Sequence, residues 1–79
     1  MNPGIGLIKR RLETEKSAIS LAVSGITKKF KVSATEVQSL ETKYDDNSGD
    51  WYVALEWKKK RAIVKMDSVL AVITEIKEI

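Results

Sequence analysis

Lys58-Lys59-Lys60-Arg61 directly follow Trp57. Consecutive cations beside an aromatic ring can contact phosphates while the ring stacks on a base or takes up a cation–π contact. The same run also suits a charged β-turn that keeps an exposed hairpin from aggregating. Lys28, Lys29, Lys31 and Lys65 could extend the basic run if the fold lines them up on one side. Asp45, Asp46 and Asp50 form the cluster of carboxylates, within Asp45-Asp46-Asn47-Ser48-Gly49-Asp50. A calcium loop would close on a bidentate Glu at its twelfth position, which is missing, so the segment is read as a turn.

No nucleophile is paired with a base. The chain contains no His and no Cys, which removes the commonest general base, thiolate ligands, cysteine nucleophiles and disulfides. Asn2-Pro3-Gly4-Ile5-Gly6 lacks the preceding strand and the Lys-Ser/Thr of a phosphate-binding loop. No catalytic residue, metal ligand or cofactor is therefore expected, and the chain is read as a non-enzyme.

The elements that must position these residues fit one domain spanning residues 1–79. A chain of 79 residues buries only about 60% of the surface of its unfolded form, which leaves little room for both a core and a substrate cleft. Hydrophobic residues at 43% against 32% charged match a folded domain rather than a disordered chain. The net charge of +3 permits an acidic partner without requiring one. No apolar run approaches the roughly 18 residues of a membrane span. Lys9-Arg10-Arg11 come too early for a signal-peptide core, so the expected location is the cytoplasm.

Asn2 can cap a helix with Pro3 in its first turn. Ile5, Ile8, Leu12, Ile19, Val23, Ile26 and Phe30 then mark one helical face. Gly4 and Gly6 weaken its start, so the helix is expected from about Leu12 to Lys29, with residues 1–11 as a frayed beginning. Thr35 to Tyr44 carries a weak strand pattern, which the acidic turn ends. Trp51, Val53, Leu55 and Trp57 alternate with Tyr52, Ala54 and Glu56, the mark of a half-buried antiparallel strand. Ala62 to Met66 is the expected return strand, with Glu56 facing Lys65 across the hairpin. Val69, Leu70, Val72, Ile73, Ile76 and Ile79 form an apolar stripe that predicts a last helix capped by Asp67 or Ser68. Its β-branched content leaves a short helix followed by a strand as the alternative. The fold class is α+β: α-β-β-β-α, with a three-stranded antiparallel meander packed against both helices.

From Val37 onward the chain resembles the gas vesicle accessory protein O family. Trp51, Val53, Leu55 and Glu56 stand at that family's Trp-x-Val-x-Val-Glu strand. Lys59-Lys60-Arg61-Ala62-Ile63 stand at its charged-then-apolar stretch, and Asp67 with Leu70-Ala71 at the start of its last helix. The segment Ser17–Phe30 falls where the family has an amphipathic helix, so the resemblance covers roughly Ser17 to Ile76. It implies an accessory, non-enzymatic role in building or regulating gas vesicles through contact with other proteins. In element order the chain also resembles double-stranded-RNA-binding domains, although the glycine-rich loop of that family is missing here.

Two surfaces are candidates for such contact: the basic hairpin of Trp57, Lys58, Lys59, Lys60 and Arg61, and the apolar N-terminal residues Ile5, Leu7 and Ile8. The second could pair with a partner or with a second copy of the chain, or be no more than a helix end. The rival function is a nucleic-acid-binding module that uses Lys58 to Arg61 on phosphates.

Overall fold

A computed structural model describes residues 11–79 of the chain. The candidate residues Ile5, Leu7 and Ile8, and the helix opening at Asn2-Pro3, lie outside the described residues. Helix α1 (Glu15–Phe30) is followed by a 3-10 turn (Ala34–Glu36) and four strands: β1 (Gln38–Asp45), β2 (Asp50–Trp57), β3 (Lys60–Asp67) and β4 (Val72–Glu78). The strands form one antiparallel sheet in the order β1-β2-β3-β4. The class is α+β as expected, but the order is one helix and then four strands.

Residues 11–14 precede the helix instead of forming its first turn. Thr14 caps α1: its hydroxyl accepts the Ser17 N–H at 3.1 Å and its own N–H donates to Ser17 Oγ at 3.4 Å. This reciprocal pair satisfies donors that the first turn leaves free. Lys31 ends the helix in the left-handed conformation at φ 57°. Ala18, Ala22 and Ile26, four apart, are fully buried against the sheet. Ile19, Val23 and Phe30 flank them at the margin of the core. Small residues on the contact line let the helix lie close to the strands. A Cβ added at Gly25 would collide with Ile73 Cδ1 on β4.

The covered sheet face is built by period-two alternation. Trp51, Val53, Leu55 and Trp57 of β2 are buried with Ala62, Val64 and Met66 of β3. Their neighbours Tyr52, Ala54, Glu56, Ile63 and Lys65 point to the other, uncovered face. The register places Glu56 opposite Arg61, and Lys65 opposite Tyr52. The expected Glu56–Lys65 pair is therefore corrected. Glu56 lies 3.9 Å from Arg61, and Lys65 lies 3.9 Å from Asp50.

The main correction concerns the last segment, where the expected helix is a strand. β4 pairs with β3 through Lys65–Glu75 and Met66–Ile73, so one residue, Thr74, is extra. This bulge shifts the phase of the strand, and Ile73 and Ile76 both reach the core although they stand three positions apart. Three-residue spacing of apolar side chains is also a helical signal, which explains the sequence expectation. Of the rest of the proposed stripe, Val69 is half-buried and Leu70, Val72 and Ile79 are exposed. Neither Asp67 nor Ser68 caps a helix. Asp67 Oδ1 accepts the N–H groups of Val69 at 2.8 Å and Leu70 at 3.1 Å in a tight hairpin loop.

Candidate interaction surface

The meander sets two dissimilar ends on the molecule. At one end the β1–β2 and β3–β4 loops lie together and share a plan. Asp45 Oδ1 accepts the Asn47 N–H at 3.0 Å, and Asp45 O accepts the Gly49 N–H at 2.8 Å. Asp67 Oδ1 accepts from Val69, and Asp67 O accepts the Ala71 N–H at 2.8 Å. Gly49 and Ala71, at matching positions, have φ of 76° and 57°. The buried Ser68 joins the loops: its N–H and hydroxyl both donate to Gly49 O, at 2.9 and 2.6 Å. Ser68 O in turn accepts the Arg11 and Leu12 N–H groups, each at 2.9 Å. Trp51 Nε1 donates to Leu12 O at 2.9 Å, which holds the segment before α1 against the sheet. Within the acidic cluster, Asp45 is thus committed to turn chemistry and Asp50 to Lys65. Among the described residues no group of three or more carboxylates is arranged to hold a metal ion.

The opposite end carries the basic run. Trp57 pairs with Lys60, so the β2–β3 hairpin turns through Lys58-Lys59 alone. Both have positive φ, 45° and 65°. A two-residue turn with two positive φ angles is the type I′ form, which matches strand twist and ordinarily uses Asn-Gly. A side chain with Cβ costs roughly 1–2 kcal/mol in this conformation. Two lysines therefore occupy positions where local stability favours other residues.

The sequence grouping Trp57-Lys58-Lys59-Lys60-Arg61 is divided by the fold. Trp57 is only 2% exposed and packs on Phe30, with ring centroids 4.7 Å apart. It is a core residue, and the expectation of an aromatic free to stack on a base is corrected. The alternation that buries Trp51, Val53 and Leu55 also buries Trp57. Arg61 belongs to the uncovered sheet face beside Glu56, whereas Lys58, Lys59 and Lys60 are exposed at the tip.

The Phe30–Trp57 contact brings the last turn of α1 to the hairpin, and Lys28, Lys29 and Lys31 with it. Three of the four lysines that could have extended the basic run are thus at this end. Lys65 is not: it lies on the uncovered face, with its ammonium 5.9 Å from the Tyr52 ring centroid. The carboxylic end of α1 is the negative end of its dipole, which favours lysines there.

One acidic residue of this end was not singled out in the sequence. Glu36 lies 3.5 Å from Lys58 Nζ and accepts the Ser33 N–H at 3.1 Å, closing the capping box of the 3-10 turn. The Ser33 N–H, and then the charge of Lys58, hold its carboxyl below the ordinary glutamate range. Ser33 followed three residues later by Glu36 is the sequence signal that identifies it. No helix among the described residues is long and apolar enough to cross a membrane. Compared with known proteins, the chain matches no family model, no curated protein and no solved structure.

Proposed function

We propose that this chain is a non-enzymatic binding domain that presents its lysine-bearing end to an acidic protein surface, as a cytoplasmic accessory component of gas vesicle assembly or regulation. The observation that carries the reading is the convergence of Lys28, Lys29, Lys31, Lys58, Lys59 and Lys60 from a helix end, its cap and a hairpin tip. Charges spaced on separate rigid elements recognise a fixed pattern of opposite charge and speed its encounter. The gas vesicle part rests on the sequence resemblance, with Trp51, Val53, Leu55 and Glu56 on the central strand β2. The non-enzymatic part is supported by a chain with no His or Cys and by the commitment of Asp45, Asp50 and Asp67 to local bonds.

A nucleic acid is the second reading, favoured by the same lysines. One feature weighs toward protein instead. Trp57 is buried beneath the tip, so the basic end offers no aromatic ring on which a base could stack.

The test is a salt titration of binding to purified gas vesicle shell and accessory proteins, and to duplex DNA and RNA, with wild type and Lys58→Glu/Lys60→Glu. The expected result is binding to a gas vesicle protein that the charge reversal weakens at least about tenfold, equivalent to about 1.4 kcal/mol. Binding to duplex DNA alone, with affinity falling by a log–log slope near −0.9 per phosphate contacted, would transfer the assignment to nucleic acid. Failure of wild type to bind any of these probes would refute both readings.

A further inference from the structure

β4 is an edge strand of the sheet, and its outer side is self-complementary. Ile79 N–H donates to Arg61 O at 2.9 Å, and Lys77 and Glu75 stand opposite Ile63 and Lys65. In an antiparallel ladder alternate residues bond to the same neighbour, so residues 75, 77 and 79 direct their main-chain groups toward β3. Ile76 and Glu78 direct theirs away from the sheet, along an edge that no strand among the described residues covers. Such an edge is a template for another strand unless its side chains forbid pairing.

We propose that this edge pairs with β4 of a second copy of the chain, antiparallel and about a two-fold axis at Ile76. In that register Ile76 meets its own copy, and the outward main-chain groups of Ile76 exchange hydrogen bonds. Glu75 stands opposite Lys77 of the second copy, and Lys77 opposite its Glu75. Moving the axis one residue either way sets Glu75 against Glu75 or Lys77 against Lys77, and like charges directly opposed are destabilising. The charge pattern therefore selects one register. Val72 and Ile79, 45% and 74% exposed, flank the paired span, where a second copy would cover them.

The bulge at Thr74 lies at the end of this span, and its hydroxyl donates to Lys65 O at 3.2 Å, inside its own sheet. The other edge strand, β1, carries the similar Glu41-Thr42-Lys43, but an axis there falls on Thr42, and the exposed aliphatic residue of that strand, Leu40, sits at a β-bulge. A two-fold contact at β4 joins two sheets into one of eight strands, with both helices on the same side. It leaves the lysine-bearing ends of both copies free, so it is independent of the binding function proposed above.

The experiment is sedimentation equilibrium of the full chain, up to about 1 mM, the range of weak association. The samples are wild type, Glu75→Lys, Lys77→Glu, the 1:1 mixture of these two, and the double variant Glu75→Lys/Lys77→Glu. Circular dichroism checks that each is folded. Lys65, opposite Glu75, has Asp50 at 3.9 Å and keeps a partner in every variant. Wild type is expected to dimerise, and each single variant to dissociate roughly tenfold more readily or beyond. The mixture and the double variant both restore opposite charges and are expected to recover the dimer. A wild type that is monomeric throughout, single variants that dimerise as well as wild type, or a mixture without recovery would each overturn the proposal.

Discussion

The two ends of the sheet are built on opposite terms. At the end near Ser68 most residue types match what the backbone needs: Asp45 and Asp67 bond to their own loops, Gly49 takes the positive φ, and Ser68 ties two loops to the segment before α1, while Ala71 at φ 57° does not. At the other end Lys58 and Lys59 occupy left-handed positions at a local cost, and three further lysines arrive from the end of α1. The first end is tied together by its own hydrogen bonds, whereas the second sets two consecutive left-handed lysines at an exposed tip, the feature that motivates the proposed contact role. The contrast also separates the tryptophans from the cations, because Trp57 belongs to the core although it sits beside the basic run.

The largest expected effect removes the core beneath the basic tip. Trp57→Ala is predicted to cost about 3–5 kcal/mol, as large aromatic-to-Ala changes in cores do, measured by urea unfolding. A loss below about 1 kcal/mol would mean that Trp57 is free of Phe30 and available as a contact residue. Next comes the loop end. Gly49→Ala places a Cβ at φ 76° and is predicted to cost about 1–2 kcal/mol. The twin position gives the opposite sign: Ala71→Gly relieves φ 57° and is predicted to stabilise by less than about 1 kcal/mol, the entropy of Gly offsetting part of the gain. If the two substitutions shift the urea midpoint in the same direction, the loops do not share one plan.

The smallest effect concerns Glu36 and pH. Its folded-state pKa is lowered, first by the Ser33 N–H and then by Lys58. Its stabilising contribution is therefore complete above the ordinary glutamate range and is lost as pH falls through the lower folded-state value. The urea midpoints of wild type and Glu36→Gln are predicted to differ at neutral pH and to converge in acid. A gap that widens on acidification would contradict the sign.

The sequence is most legible where side chains alternate without interruption. Trp51, Val53, Leu55 and Trp57 establish both β2 and the buried face, and Ala62 to Met66 establish β3. β4 was hidden because Thr74 breaks the alternation and leaves Ile73 and Ile76 at helical spacing. Its loop was hidden because Ala71 stands where Gly49 stands in the twin loop, so Asp67 looked like a helix cap. The lysines of the basic end were visible as residues, but not their grouping. Lys28, Lys29 and Lys31 join Lys58 through Phe30 and Trp57, a tertiary contact with no local signature, while Lys65 is sent to the other face by strand parity. Ser33 and Glu36 were legible as a capping box, a signal that the apolar patterns on either side obscured.

The most direct test replaces the strained pair with the residues that its turn favours, in Lys58→Asn/Lys59→Gly. Urea unfolding and binding to the gas vesicle proteins proposed as partners are measured on the same preparation. If the lysines are kept for contact, stability rises by about 1 kcal/mol and affinity falls roughly tenfold. Increased stability with unchanged affinity would contradict the assignment and leave the basic hairpin as a solvated turn.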